Sequence, residues 1–312
     1  MPHQKIHLVG FGSQGSAWAQ CLRQSGWDVN VYLARKSKSF DQAAELGFSP
    51  LLLAYLPQQV ADTSTPHWIG MLCPDDATPM IYGDILANCP APIRLVLAHG
   101  YVVYSGDLKL NSPLHQVTLL APKAIGPKLR QNFLETFPLP HRLVAAITAP
   151  KESLEFLKEI ARGLGFSDPA MVQATFDEET IGDLMSEQGL LCGGAFNLLE
   201  WTMEAMAKAG IPDALIREEC LTELELIAGM IRERGPAQTF KMISQAAQCG
   251  TIAMAERLEA SKLKQGFMAQ METVQNREFA KFYKSKEWRA KALAFTDRLS
   301  VWEDRLNPKE KR

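Results

Sequence analysis

The segment Gly10-Phe11-Gly12-Ser13-Gln14-Gly15 limits the possible folds more than any other part of this 312-residue chain. It directly follows Lys5-Ile6-His7-Leu8-Val9, which reads as a strand, and it opens a helical pattern running from Ser13 to Ser25. A G-x-G-x-x-G in that context is a strand–turn–helix built to hold a pyrophosphate. Gly10 permits the tight turn, Gly12 lets the backbone approach a phosphate, and Gly15 lets helix and strand pack closely. The free N–H groups at the helix start face the anion.

The rest of the first half repeats the alternation. Strands are expected at Asp28–Leu33, Trp68–Cys73, Ile93–Ala98, Gln116–Leu120 and Leu143–Ile147, with helices at Ser39–Gly47 and Glu152–Leu164. This predicts a Rossmann-type parallel sheet covered by helices. From Thr175 the pattern is helical almost to the end. Thr175 and Glu178 have capping-box spacing, and Gly210 with Pro212 and Gly235 with Pro236 read as helix stops. The expectation is an α/β dinucleotide-binding domain over residues 1–174 and an all-α domain over residues 175–312.

The end of the second strand selects the cofactor. Proteins that bind NAD place an acid there for the ribose 2′-hydroxyl. Here the chain reads Leu33-Ala34-Arg35-Lys36-Ser37-Lys38-Ser39, with three cations, two hydroxyls and no acid. A 2′-phosphate is a dianion that such donors suit, so NADP(H) is expected, with Arg35, Ser37 and Ser39 as its ligands.

Two acidic pairs mark the helical half. Asp183 and Glu187 are four residues apart, as are Glu219 and Glu223, so each pair shares a helix face. Like charges at that spacing repel unless a cation joins them, and oxygen-only ligands select a hard ion such as Mg²⁺. Both pairs lie in apolar stretches, where acids need partners. His99 ends the fourth expected strand, where ligands gather in open α/β sheets. His3, His7, His67, His115 and His141 lack such a setting and read as structural. Trp201, Met203 and Met206 read as core.

The net charge of −2 gives no reason to expect nucleic acid as a partner. The Lys281–Arg312 stretch mixes its cations with acids and reads as a solvated helix face. The six cysteines form no Cys-x-x-Cys pair and read as reduced thiols. No apolar run is long enough to cross a membrane, and no signal-peptide block precedes the first strand. A cytoplasmic protein is expected.

These segments together resemble the ketol-acid reductoisomerase family. Gly10–Gly15 is similar to its G-[YF]-G-S-Q-G, and Ser37-Lys38-Ser39 to its 2′-phosphate loop. Pro74-Asp75 resembles its P-D near the cofactor, Leu97-Ala98-His99-Gly100 its [FL]-A-H-G, and Ala121-Pro122-Lys123 with Gly126 and Arg130 its A-P-K-G-P-G-x-x-V-R. The block from Thr175 to Gly194 follows T-F-x-E-E-T-x-x-D-L-[FM]-G-E-Q-x-x-L-C-G-G almost residue by residue, and Glu219–Leu224 resembles E-C-L-H-E-L. Ile243–Gly250 resembles I-S-N-T-A-E-Y-G.

The resemblance implies an NADPH- and Mg²⁺-dependent enzyme that converts 2-acetolactate or a related 2-hydroxy-2-acyl acid to a 2,3-dihydroxy acid. It implies catalytic roles for His99, Lys123 and Glu187. It assigns two Mg²⁺ per site to Asp183, Glu187, Glu219 and Glu223, with Asp183 bridging, and substrate contact to Ser244. Asp75 and Gly126 would join the glycine loop in binding cofactor. It further implies a homodimer or larger, with each site shared between subunits, and a knotted helical domain. Most departures fall on the substrate side: Ala124-Ile125 replaces Gly-Pro, Gln248-Cys249 replaces Glu-Tyr, and Ser186 replaces Gly; in the cofactor loop Ala34 stands where the family usually has Arg, with Arg35 beside it. They keep open a paralogue reducing another keto acid, a simple dehydrogenase without the isomerase step, and a non-catalytic NADP(H)-binding protein.

Overall fold

The computed structural model of the chain describes residues 4–140 and 143–306, so His3 and His141 lie outside the described residues. The chain forms two compact units, residues 1–180 and 181–312.

The first unit is built on an eight-stranded sheet in the order β3-β2-β1-β4-β5-β6-β7-β8. Its strands are β1 (Lys5–Val9), β2 (Asp28–Leu33), β3 (Leu51–Leu52), β4 (His67–Met71), β5 (Ile93–Leu97), β6 (Gln116–Pro122), β7 (Ala145–Thr148) and β8 (Met171–Gln173). β1 is central and buried from Ile6 to Val9, because helices cover both faces of a parallel sheet; its polar member, His7, is paired with the Tyr32 hydroxyl. The core gathers Ile6, Leu8, Trp18, Leu22, Val96, Leu120, Leu157 and Phe166.

The expected parallel sheet needs correction at one place. β7 runs antiparallel to β6, with Ala145 opposite Pro122. Helix Gly126–Glu135 leads away from the end of β6, and the chain returns to that same end before β7 begins. An apolar run reads the same in either direction, so alternation alone gave no sign of the reversal. The reversal matters for the site, because β7 continues the pairing past β6: the Lys123 N–H donates to the Val144 carbonyl at 2.9 Å. β3 and β8 were not expected, being too short to show a period.

Thr175 and Glu178 form the expected capping box. The Glu178 N–H donates to Thr175 Oγ1 at 3.1 Å, and the Thr175 N–H donates to Glu178 Oε2 at 2.8 Å. This fixes the first turn of helix Phe176–Ser186.

The second unit is helical. Helix Phe176–Ser186 passes into a π-helical segment, Glu187–Gly194, and resumes as Ala195–Lys208. A second π-helical segment, Glu218–Thr222, joins Asp213–Arg217 to Glu223–Arg234. Helices Pro236–Met242, Gln245–Ala260, Leu263–Gln275, Glu278–Ser285 and Trp288–Leu306 follow. Met203, Ile216, Cys220, Trp302 and Leu306 form its core, with Met206 against them. Trp201 is not core as expected. It stands exposed, because residues two apart on a helix face away from each other and Met203 takes the inner side. Among the described residues no helix is long and apolar enough to cross a membrane.

Candidate active site

The carboxyl ends of β1, β2, β4, β5 and β6 carry nearly every site residue expected in the first unit. Gly10 adopts φ +104°, and an added Cβ would lie 2.4 Å from the Leu72 carbonyl oxygen, so the turn requires glycine. A Cβ on Gly15 would lie 2.5 Å from the Gly10 carbonyl oxygen, which is the close helix–strand packing the motif predicts. A Cβ on Gly12 would meet nothing within 4 Å, so that side of the turn is open to a ligand. The Gly10 N–H donates to the Tyr32 carbonyl at 3.0 Å, which sets the end of β2 beside the loop. Arg35 follows, exposed, then half-buried Ser37 and Ser39 at the start of helix Lys38–Glu45.

Gly126, the first residue of its helix, abuts the glycine loop. A Cβ there would fall 2.0 Å from the Ser13 carbonyl oxygen. The N-termini of two helices, Ser13–Gln24 and Gly126–Glu135, therefore meet at one point, where their N–H groups and partial positive charges add. Gln14 donates from Nε2 to the Ala124 carbonyl at 2.8 Å, while its Oε1 is buried without a protein partner. An open glycine, converging helix starts and an adjacent basic loop fit a phosphorylated dinucleotide.

Glu179 organises the chemistry-bearing side chains. Its side chain is 1% exposed. Oε1 accepts from Lys123 Nζ at 2.7 Å. Oε2 accepts the Gly100 N–H at 3.0 Å, lies 3.4 Å from His99 Nδ1, and accepts the Thr180 hydroxyl at 3.3 Å. Burial alone would raise the Glu179 pKa, but hydrogen bonds and charge from His99 and Lys123 outweigh it and hold the carboxyl at about 2. Gly100 has no room for a side chain, since a Cβ would come 2.3 Å from Thr180 Oγ1. Asp75, past β4, feels the same cluster. Burial raises its carboxyl above the ordinary range, His99 opposes that, and Asp76 and Glu179 add to it.

Glu179 was legible in part. It lies four residues before Asp183, as Asp183 lies four before Glu187, so three acids form one line along the helical path. The expected metal pair takes only the later two, because charge spacing alone cannot say which acid faces a lysine from another strand.

The remaining expected residues lie in the second unit. Asp183 is half-buried on helix Phe176–Ser186, and Glu187 is the exposed first residue of the π-helical segment. Glu219 lies inside the second π-helical segment and Glu223 directly after it, both exposed. Such segments are rare and are frequent at functional sites. Ser244 caps helix Gln245–Ala260, its hydroxyl accepting the Ala247 N–H at 3.2 Å. Gln248 donates to the Ile243 carbonyl at 2.9 Å, and Cys249 is exposed. The other described histidines have structural partners: His7 pairs with Tyr32, His67 with the Asp62 carbonyl, and His115 with Tyr82 and the Cys89 carbonyl.

A glycine-rich turn at the head of a Rossmann-type sheet, with a histidine, a lysine and a buried glutamate at its carboxyl edge, in a chain whose second unit is helical, defines the class: a dinucleotide-dependent oxidoreductase. Residues 1–198 match the family model described as acetohydroxy acid isomeroreductase, NADPH-binding domain, and residues 176–302 that of the ketol-acid reductoisomerase C-terminal domain. The ketol-acid reductoisomerase (NADP(+)) of Arthrobacter sp. (strain FB24) is 32% identical over 282 residues, covering 89% of this chain and 80% of that protein. The chain belongs to the ketol-acid reductoisomerase family, and with it to the NADP-dependent oxidoreductases.

Solved structures agree on the fold. An NADH-preferring ketol-acid reductoisomerase from an uncultured archean superposes with a TM-score of 0.82 at 24% identity, covering 98% of this chain and 92% of that one. A semialdehyde dehydrogenase NAD-binding protein from Cupriavidus necator gives 0.64 at 17% identity, covering 88% and 99%.

Proposed function

We propose that the protein is an NADPH- and Mg²⁺-dependent ketol-acid reductoisomerase. It moves an alkyl group from C2 to C3 of 2-acetolactate or a related 2-hydroxy-2-acyl acid, then delivers hydride to the new C2 ketone. The observation that carries this reading is the Glu179 clamp, which holds His99 and Lys123 at the carboxyl edge of the sheet that also bears the glycine loop.

The residues suit the two half-reactions. The C2 hydroxyl must lose a proton as its oxygen becomes a ketone, and the migrating carbon must reach C3 as that carbonyl oxygen becomes an alcohol. His99 and Lys123 are groups able to hold a proton beside those oxygens, and Glu179 fixes both. NADPH supplies the hydride and the protein orients it. The glycine loop and the starts of both helices would bind the pyrophosphate, and Arg35, Ser37 and Ser39 the 2′-phosphate.

Asp183, Glu187, Glu219 and Glu223 would hold the Mg²⁺ ions. Their all-oxygen donor set suits a hard divalent cation, and the ions would polarise the ketone and alkoxide oxygens. Among the described residues, Glu187, Glu219 and Glu223 do not gather within one chain into a group of three or more metal-capable side chains. Leu221, Leu224 and Leu226 around the second pair stand exposed, which favours a site completed across a two-fold interface between copies of the chain.

One observation favours a second reading. Ile125 stands 71% exposed two residues past Lys123, where the family pattern has proline, and this departure favours an NADP-dependent reductase of another keto acid. One experiment addresses both readings: NADPH oxidation by purified protein with Mg²⁺ and 2-acetolactate, run beside a panel of 2-keto acids. Turnover confined to the keto acids would favour the reductase.

A further inference from the structure

The Gln14 side chain ties the cofactor loop to the loop that carries Lys123. Its Nε2 donates to the Ala124 carbonyl, 110 residues away in sequence. The amide orientation is fixed by chemistry, because the reversed form would set oxygen against oxygen. Ala124 directly follows Lys123. On one side, the Lys123 backbone is held by β7 through the Val144 carbonyl. On the other, Gly126 is pressed against the Ser13 backbone. The segment from Lys123 to Gly126 is therefore set by the sheet and by the glycine loop together, and the Gln14 amide is the side-chain link between them. Lys123 Nζ then reaches Glu179 from this segment.

We propose that Gln14 is a positioning residue: a dinucleotide seated on the glycine loop sets the Lys123 segment through the hydrogen bond from Gln14 to Ala124. This rests on the assignment of Lys123 to the reaction, but the link itself needs only that the cofactor binds. The physical reason is leverage. A hydrogen bond one residue from a reacting side chain restrains its backbone, and a misplacement of about 1 Å can cost about a hundredfold in rate.

The test uses the full-length protein and the variant Gln14→Met, which keeps the length and removes the amide. NADPH affinity is measured by calorimetry, turnover by NADPH oxidation with Mg²⁺ and 2-acetolactate, and hydrogen exchange of residues 10–15 and 123–125 with and without NADPH. The expected result is a kcat lower by about tenfold with an NADPH Kd within about threefold of wild type. NADPH should still protect residues 10–15 but no longer residues 123–125, which do not include Gly126 and its own contact with the glycine loop. Gln14→Asn, which keeps an amide but is one methylene too short to reach Ala124, should behave likewise. The proposal is overturned if NADPH protects 123–125 equally in wild type and both variants, or if Kd rises by the same factor as kcat/KM falls, which would make Gln14 a cofactor ligand only. If the wild-type protein does not turn over 2-acetolactate, the proposed function fails, and the exchange measurement alone still decides the Gln14 link.

Discussion

Lys123 Nζ and Glu179 Oε1 stand 2.7 Å apart although the two residues are 56 positions apart in the chain. The contact joins the end of β6 to the first turns of helix Phe176–Ser186, and it pairs a buried carboxylate with a half-exposed ammonium. A charge this well buried persists only with its partners in place, so its removal has consequences for both activity and acid stability.

Glu179→Gln keeps the shape and removes the charge. Turnover should fall by about a hundredfold with the fold retained, since His99 and Lys123 lose the group that orients them. The pH signature has a definite sign. The folded carboxyl sits at about 2, below the ordinary 4.5. Its contribution to stability is therefore fully present above 4.5 and is lost as pH falls from there through 2. Thermal melts across that window should show wild type losing stability faster than Glu179→Gln. Parallel curves would contradict the assignment.

The glycines of the cofactor loop should separate in their effects. At Gly12 a Cβ meets nothing in the protein, so Gly12→Ala should leave the melting temperature unchanged and weaken NADPH binding by about tenfold or more through collision with the pyrophosphate. At Gly126 a Cβ would collide with the Ser13 carbonyl, so Gly126→Ala should destabilise the first unit by about 1–3 kcal/mol as well as weaken binding. Differential scanning calorimetry and NADPH titration of the two variants distinguish these outcomes.

How far this site could be read in advance follows from the kind of signal each part leaves. The glycine loop and the boundaries of β1 and β2 are written locally, in residues that only a tight turn or a buried strand requires. The capping box at Thr175 and Glu178 is local too. The direction of β7 is not, because a short apolar run has no polarity, and the Lys123–Glu179 pair is not, because a tertiary contact leaves no spacing in one sequence. The π-helical segments at Glu187 and Glu218 likewise have no periodic signature over so few residues.

Cofactor preference should reside in the basic loop. NADPH should bind more tightly than NADH, each lost charged hydrogen bond to the 2′-phosphate costing about 1.5–3 kcal/mol. Replacing Ser37 and Ser39 together by Asp should move the preference toward NADH, because each carboxylate repels the phosphate and accepts from a ribose hydroxyl. Equal affinities of the unaltered protein for the two cofactors, measured by calorimetry, would refute this role for the loop.

The acidic pairs should complement between subunits. Asp183→Ala and Glu223→Ala should each be inactive alone. Co-refolded at equal amounts, they should recover about a quarter of wild-type activity under random pairing, since half the dimers are mixed and each carries one intact site. A mixture that stays inactive although mixed dimers form would place both pairs of one site in the same chain.

The most direct measurement follows the migrating carbon itself. 2-Acetolactate labelled with ¹³C in the methyl group on C2 is incubated with the protein, NADPH and Mg²⁺, and the product is read by NMR. Reductoisomerisation predicts a 2,3-dihydroxy acid in which the labelled methyl has moved to C3 beside the unlabelled one. A product that keeps the labelled methyl on C2, with the C3 ketone merely reduced, would contradict it.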